Sequence, residues 1–245
     1  MEQVILTAKE NESIAEDVFR MRLAGDVGAV TRPGQFINIA LAGRFLRRPI
    51  SVCDRSTEDL TILYKIAGQG TAQMSRMAAG ETLDVLTGLG NGFNVEAASG
   101  RTLLIGGGIG AAPLYWLAKE LKARGVGTTA VLGFNSEKDI YYVNDFSAVC
   151  DRVVLATADG SRGVKGFVTD AMDGLPCDYF YACGPEPMLK AVWRASGSDG
   201  EFSFEERMGC GFGACMGCTC ATIAGWKRIC RDGPVLRKGE IRWAD

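Results

Sequence analysis

"TLLIGGGIGAAPLYWLAKEL", residues 102–121, marks the point where the pattern of the chain changes. TLLIGGG is a short apolar run of the kind that forms a buried strand. After it, the apolar side chains recur at helical spacing, at Leu114, Leu117, Ala118 and Leu121. Pro113 suits the first turn of that helix. The stretch therefore predicts a strand, a glycine turn and a helix.

Further strands and helices alternate after this unit. The predicted strands are TTAVLGF, RVVLATA and DYFYACG, and the helical stretches lie around DFSAVC, FVTDAMDG and EPMLKAVWRA. Alternation of this kind is typical of a parallel sheet covered by helices. We expect residues 99–204 to form one α/β domain.

Upstream of this domain the chain is divided into short runs rich in β-branched and aromatic residues. They are VILTAKE, VFRMRL, FINIAL, ISVCD, LTILYKIA and ETLDVL. Six strands at this spacing predict a β-barrel over residues 1–98. The remaining segment, residues 205–245, is too short and too rich in cysteine to form its own apolar core.

Composition excludes several classes of function. The 245 residues carry a net charge of -2, so no basic field favours nucleic acid or anionic lipid. The chain has no histidine, which excludes Ser-His hydrolase chemistry and His-ligated zinc in their usual forms. No signal peptide or membrane-spanning run is evident, and we expect a cytoplasmic location. In a reducing compartment, nine cysteines suggest metal binding more than disulfides.

The segment "ERMGCGFGACMGCTC", residues 206–220, holds the strongest motif. Cys210, Cys215 and Cys218 have the spacing C-x4-C-x2-C, and Cys230 follows after eleven more residues. This is the plant-type ligand spacing of a [2Fe-2S] cluster. Zinc remains an alternative, although zinc sites more often begin with a C-x2-C pair and use histidine. A zinc-stapled tail would indicate a non-catalytic binding module, and inert or disulfide-bonded thiols are a third possibility.

Two glycine turns fall at predicted strand ends in the α/β domain. GGGIGAAP, residues 106–113, fits G-x-G-x-x-G/A with Gly106, Gly108 and Ala111 at the three positions. It predicts either a dinucleotide phosphate site or only a tight strand-helix turn. YACGPEPM, residues 181–188, lies at the same sheet edge, where Cys183 either faces a ligand or packs in the core.

Two segments of the predicted barrel could contact phosphate. RRPIS, residues 47–51, offers the guanidinium fork of Arg48 and the hydroxyl of Ser51. LYKIAGQGT, residues 63–71, offers Gly70 and Thr71. Taken alone, each segment is also compatible with a solvated loop or a turn.

The order of these motifs resembles the ferredoxin-NADP reductase superfamily. The segments EERMGCGFGACMGC and WKRICRDGPV, together with GLGNGF at 88–93, narrow the resemblance to the electron-transfer subunits of type B, NAD-dependent dihydroorotate dehydrogenases. One departure is Thr87, where that family usually has proline. Superfamily members lack the ribose-binding acid of the usual Rossmann fingerprint, which agrees with the absence of an acid between Lys122 and Phe134.

The resemblance implies three cofactors and the residues that bind them. FAD would contact Arg48, Pro49, Ile50, Ser51, Leu63, Tyr64, Lys65, Gly70 and Thr71. NAD would lie near Gly107, Gly108, Gly110, Ala111, Pro113, Cys183, Gly184 and Glu186. The cluster ligands would be Cys210, Cys215, Cys218 and Cys230, with Cys220 left to packing. Glu137 after the second α/β strand favours NAD over NADP, although Lys138 lies beside it.

The resemblance also implies a function. Electrons would pass from the FMN of a catalytic subunit through [2Fe-2S] and FAD to NAD+, in pyrimidine (UMP) biosynthesis. Dihydroorotate would be oxidised on the partner, in a heterotetramer with two copies of each subunit, and this chain would supply no catalytic side chain. The alternative is a reductase subunit of another complex, such as a sulfite reductase, a hydrogenase or a ferredoxin:NADP transhydrogenase.

Overall fold

The computed structural model describes residues 1–243, and its first part is a closed barrel of six strands. The strands are β1 (Glu2–Ala15), β2 (Val18–Ala24), β3 (Phe36–Ile39), β4 (Arg48–Arg55), β5 (Asp59–Lys65) and β6 (Thr82–Leu89). They pair antiparallel in the order β1-β2-β5-β4-β3-β6, and helix α1 (Gln69–Met74) follows β5. The predicted barrel is confirmed.

Alternation of apolar side chains fills the barrel. In β6, Leu83, Val85 and Leu89 are buried, and Thr87 between them is fully buried too. Thr87 lies opposite Glu2 of β1. Strand β6 therefore continues through the position where the family that this sequence resembles usually has proline. The departure at Thr87 therefore leaves the barrel intact.

The second part of the chain is a seven-stranded sheet with helices on both faces. Its strands are β7 (Thr102–Gly107), β8 (Thr128–Phe134), β9 (Arg152–Thr157), β10 (Val164–Lys165), β11 (Tyr179–Cys183), β12 (Asp199–Ser203) and β15 (Val235–Arg237). The order is β10-β9-β8-β7-β11-β12-β15, and all neighbours are parallel except β15, which is antiparallel to β12. The predicted parallel α/β layer is confirmed.

Four helices cover this sheet: α2 (Ala112–Ala123), α3 (Val143–Val149), α4 (Val168–Met172) and α5 (Glu186–Ala195). Successive strand residues face opposite sides, so Leu104 packs towards α2 and α3, whereas Leu103 and Ile105 pack towards α4 and α5. In residues 1–243 no helix is long and apolar enough to cross a membrane.

The cysteine-rich segment is organised by the rest of the protein. It contains the hairpin β13 (Thr219–Thr222) and β14 (Gly225–Arg228), then the short helix α6 (Ile229–Asp232). Its strand β15 completes the α/β sheet, which the sequence did not predict. Cys218, Ile229 and Cys230 join an apolar cluster with Phe36 and Leu89 of the barrel and Phe202 of the sheet. The segment thus shares one core with both larger parts.

Candidate cofactor sites

The predicted FAD segments lie side by side on the barrel. Strands β4 and β5 pair with Val52 opposite Ile62, which places Arg48–Ser51 next to Leu63–Lys65. The Arg48 side chain crosses Gly70, where an added Cβ would overlap the guanidinium. The fold therefore brings all three segments together, as a phosphate-bearing flavin would require.

The side chains of this region have different environments. Tyr64 is only 1% exposed, and its hydroxyl donates to Asn11 Oδ1 at 2.7 Å. Its ring therefore packs in the core of the barrel. Thr71 Oγ1 accepts the Ala67 N–H at 2.9 Å and closes the turn before α1. Tyr64 and Thr71 thus stabilise the polypeptide around the predicted flavin position, and Arg48 and Ser51 remain half-buried beside it.

A cleft of about 550 Å³ opens where the barrel meets the carboxyl ends of the sheet strands. Gly107 at the end of β7 and Gly108 after it line the cleft, as does Pro185 after β11. Lys65 of the barrel also lines it and forms an ion pair with Asp139 at 3.1 Å. Burial opposes ionisation of Asp139, but hydrogen bonds from Lys65 and Ser136 outweigh it and lower the pKa of that carboxyl. The cleft has the position expected for a dinucleotide in an open α/β sheet.

Other predicted NAD residues lie behind the wall of the cleft. Gly110, Ala111, Pro113 and Cys183 are buried, and Glu186 is exposed at the start of α5. An added Cβ at Gly110 would overlap the backbone carbonyl of Cys183. These glycines therefore allow β7, β11 and α2 to approach closely. Burial raises the pKa of the Cys183 thiol, which keeps the sulfur neutral.

Several residues that line the cleft were not predicted from the sequence. Phe134, Asn135, Asp139, Tyr141, Phe167 and Glu205 all line it. Phe134 ends a predicted strand and Asn135 follows it, so the same sheet-edge reasoning could have found them. Phe167 and Glu205 carried no sequence signal, because a later loop and the C-terminal segment bring them to the cleft. The Glu205 side chain lines the cleft and is otherwise surrounded by protein. Its desolvation raises the pKa of the carboxyl.

The four predicted cluster cysteines form two close pairs. Cys210 and Cys215 flank a tight loop, and the sulfur of Cys210 accepts backbone N–H groups from Ala214 at 3.3 Å and Cys215 at 3.5 Å. Cys218 accepts the backbone N–H of Cys230 at 3.4 Å. All nine cysteines are free thiols, which excludes a disulfide in this structure.

Glycines and an arginine hold the loop against α6. Gly211 and Gly213 have φ of +80° and +93°, and an added Cβ would overlap Asn38 or Arg231. Arg228 donates to the carbonyl of Gly213 at 3.0 Å and pairs with Asp232 at 3.0 Å. The loop with three cysteines and the helix with the fourth are thus fixed together.

The pKa of the thiol group differs between the two cysteine pairs. Burial opposes ionisation of Cys210, yet backbone N–H groups of Cys215 and Phe212 lower the pKa of its thiol to about 6. Desolvation and the neighbouring Cys218 raise the pKa of Cys230 to about 12. N–H donors aimed at sulfur stabilise thiolate, the form that binds metal.

The paired arrangement of these sulfurs fits a two-iron cluster. Two sulfur pairs, each suited to one iron, are the arrangement that four thiolates adopt around [2Fe-2S]. Cys220 lies apart in β13 and packs against the apolar cluster, as predicted for a structural thiol.

Barrel, α/β sheet and cysteine segment together define a reductase of the ferredoxin-NADP reductase type. Two family models match the chain: an oxidoreductase NAD-binding domain at residues 104–194 and the iron-sulfur cluster binding domain of dihydroorotate dehydrogenase B at residues 205–242. The chain belongs to the electron transfer subunits of dihydroorotate dehydrogenase B. This assignment confirms the resemblance, the oxidoreductase function in electron transfer to NAD+, and FAD, [2Fe-2S] and NAD as cofactors.

Individual relatives support the assignment over nearly the whole chain. The electron transfer subunit of dihydroorotate dehydrogenase B from Geobacillus sp. is 42% identical and covers 98% of this chain and 99% of its own. That of Fusobacterium nucleatum is 43% identical and covers 96% of each chain. Among solved structures, the NADH-dependent reduced ferredoxin-NADP oxidoreductase has 34% identity and a TM-score of 0.89, over 98% of this chain and 90% of that one.

Proposed function

We propose that this chain exchanges electrons with an FMN-containing subunit that oxidises dihydroorotate, and delivers them to NAD+ in pyrimidine (UMP) biosynthesis. One observation carries the proposal: Cys218 and Cys230 share an apolar core with Phe36 of the flavin barrel and Phe202 of the nucleotide-binding sheet. The cysteine segment is thus packed directly against both the barrel and the sheet, and electron transfer between cofactors requires such fixed separations.

We assign the sites as follows. FAD lies along Arg48–Ser51, Leu63–Lys65 and Gly70–Thr71, and NAD enters the cleft beside Gly107 and Gly108. Cys210, Cys215, Cys218 and Cys230 hold the cluster. The bound groups supply the redox chemistry, since an iron-sulfur cluster carries single electrons and a flavin transfers a hydride to NAD+. The protein binds and orients these groups, and needs no histidine for proton transfer.

The surface around the cluster loop suits a partner protein. Cys215 is exposed, and beside it Phe212 and Met216 are 42% and 53% exposed. Exposed apolar side chains next to a redox centre favour docking of a subunit at that face. We propose the catalytic subunit as the occupant, in a heterotetramer with two copies of each chain in the cytoplasm.

The test is co-expression of this chain with a candidate catalytic subunit and purification through a tag on this chain. We expect a complex with FMN, FAD, iron and sulfide that reduces NAD+ with dihydroorotate. A colourless, zinc-containing protein would contradict the proposal.

A second function rests on the similarity to the reduced ferredoxin-NADP oxidoreductase. In that case the purified complex would reduce ferredoxin with a nicotinamide nucleotide and would not respond to dihydroorotate. The relatives at 42% and 43% identity favour the dihydroorotate enzyme over this alternative.

A further inference from the structure

The outer face of β3 is covered by the cysteine segment, and a buried asparagine lies in this contact. Ile37 and Ile39 point into the barrel, whereas Phe36 joins the cluster that contains Cys218 and Cys230. Asn38, on the same face as Phe36, is 1% exposed. An amide group thus lies in surroundings that are otherwise largely apolar.

The amide of Asn38 is fitted to the cluster loop. Its Nδ2 donates to the backbone carbonyl of Cys210 at 3.1 Å. An added Cβ at the next residue, Gly211, would overlap the same Nδ2. The loop and Asn38 are therefore complementary at two successive residues.

The other half of the amide is unsatisfied. Asn38 Oδ1 is buried and has no hydrogen-bond partner in the described part of the chain. A buried acceptor without a partner destabilises the fold, and a leucine of similar shape would avoid that cost. The acceptor side of the amide thus lowers stability, and its donor side makes one specific contact, to the residue that carries the first cysteine.

Asn38 also belongs to the flavin side of the molecule. In the β3-β4 pair it lies opposite Pro49, within the segment Arg48–Ser51 assigned to FAD. A single residue therefore connects the flavin strands to the backbone of a cluster ligand. We propose that Asn38 is a positioning residue that holds the Cys210 end of the cluster loop against the flavin strands and sets the rate of electron exchange between the two cofactors.

This inference rests on the proposed function, and its test separates the two half-reactions. The purified full chain, loaded with FAD and the cluster, is mixed anaerobically with NADH. Flavin reduction is followed by absorbance, and cluster reduction by EPR of rapidly frozen samples. The variants are Asn38→Leu, which removes the amide, and Asn38→Asp, which keeps its size but removes the donor. Thr87→Val is the matched control, since Thr87 is a buried polar residue of the neighbouring strand β6 and is not assigned to any cofactor site.

We expect flavin reduction to be unchanged in all variants. Electron transfer from flavin to cluster should slow about 10-fold or more in both Asn38 variants, the size of effect that outer-shell contacts of metal ligands produce. The EPR signature and midpoint potential of the cluster should also shift in these two variants and not in Thr87→Val. If Asn38→Leu fails to fold, Asn38→Asp alone decides.

Two results would overturn the inference. One is wild-type cluster reduction and a wild-type EPR signature in the Asn38 variants. The other is an equal slowing of flavin reduction and cluster reduction, which would indicate a general structural defect. Failure of NADH to reduce the cluster in the wild-type chain would instead contradict the proposed function, whatever the variants do.

Discussion

The positions of individual cysteines support the choice of sulfurs that we propose for the cluster. Among the cysteines of residues 206–220, three lie in the loop that faces α6: Cys210, Cys215 and Cys218. The other, Cys220, lies in strand β13. We propose Cys230 as the source of the fourth sulfur, and its backbone N–H donates to Cys218 Sγ at 3.4 Å. The four closely spaced cysteines are thus not the four ligands that we propose.

The first prediction concerns this choice. Cys230→Ser should lose or strongly destabilise the cluster, because one iron would lack a thiolate. Cys220→Ser is the matched control and should keep the visible absorption and EPR spectra of the wild type. Loss of the cluster in Cys220→Ser with retention in Cys230→Ser would show that the ligands are assigned wrongly.

The second prediction concerns Glu201 in β12, which is 3% exposed and accepts the backbone N–H of Asn94 at 2.9 Å. Burial raises the pKa of its carboxyl in the folded state. In the unfolded chain the pKa of this carboxyl is about 4.3, so the folded protein binds the proton more tightly. The free energy of unfolding therefore falls as the pH rises from about 4.3 through the higher pKa of the folded state. Glu201→Gln should remove this loss and raise Tm at pH 8, while leaving Tm at pH 4 nearly unchanged. Thermal unfolding at both pH values measures this, and an equal change at both would contradict it.

At the scale of elements, the cleft depends on how closely α2 approaches the ends of β7 and β11. Gly110 lies at the point of closest approach, where the absence of a Cβ leaves room for the backbone of Cys183 and Gly184. Because the obstacle is backbone rather than a flexible side chain, the neighbours have little freedom to move away. The glycine turn thus serves close packing, whatever contact it makes with the proposed dinucleotide.

The third prediction follows from that packing. Gly110→Ala should lower the free energy of unfolding by about 1–3 kcal/mol, the usual cost of overpacking, and weaken NADH binding. Gly197→Ala is the control, since Gly197 is exposed with no atom within 4 Å of an added Cβ. Urea unfolding and NADH titration compare the two variants, and equal stabilities would refute this account of the turn.

At the scale of the whole molecule, the C-terminal segment joins the two larger parts. Its strand β15 completes the α/β sheet. On the barrel side, the side chain of Asn91 donates to the backbone carbonyl of Val235 at 2.7 Å and accepts the Val235 N–H at 3.1 Å. Cys218 and Cys230 pack into the same core. The proposed cluster ligands and the barrel are therefore held in one arrangement by β15 and Asn91.

The fourth prediction tests this junction. Asn91→Ala leaves the N–H and carbonyl of Val235 without their partner and should destabilise the protein by about 1–2 kcal/mol. Limited proteolysis should then cleave the C-terminal segment faster than in the wild type. Gln3→Ala, which removes an exposed hydrogen bond to Asp84, should stay within about 0.5 kcal/mol of the wild type. Equal protease resistance of Asn91→Ala and Gln3→Ala would exclude this role.

The sequence by itself determined the barrel, the α/β layer and the cysteine spacing, because alternation, helical periodicity and ligand spacing are local patterns. It also sufficed for the resemblance that led to the family. Only the tertiary structure decided that β15 completes the sheet, that Phe167 and Glu205 reach the cleft, and that Asn38 meets Cys210. These contacts join residues far apart in the chain, 172 positions in the case of Asn38 and Cys210. No local pattern encodes such a contact, since it depends on how separately folded elements pack.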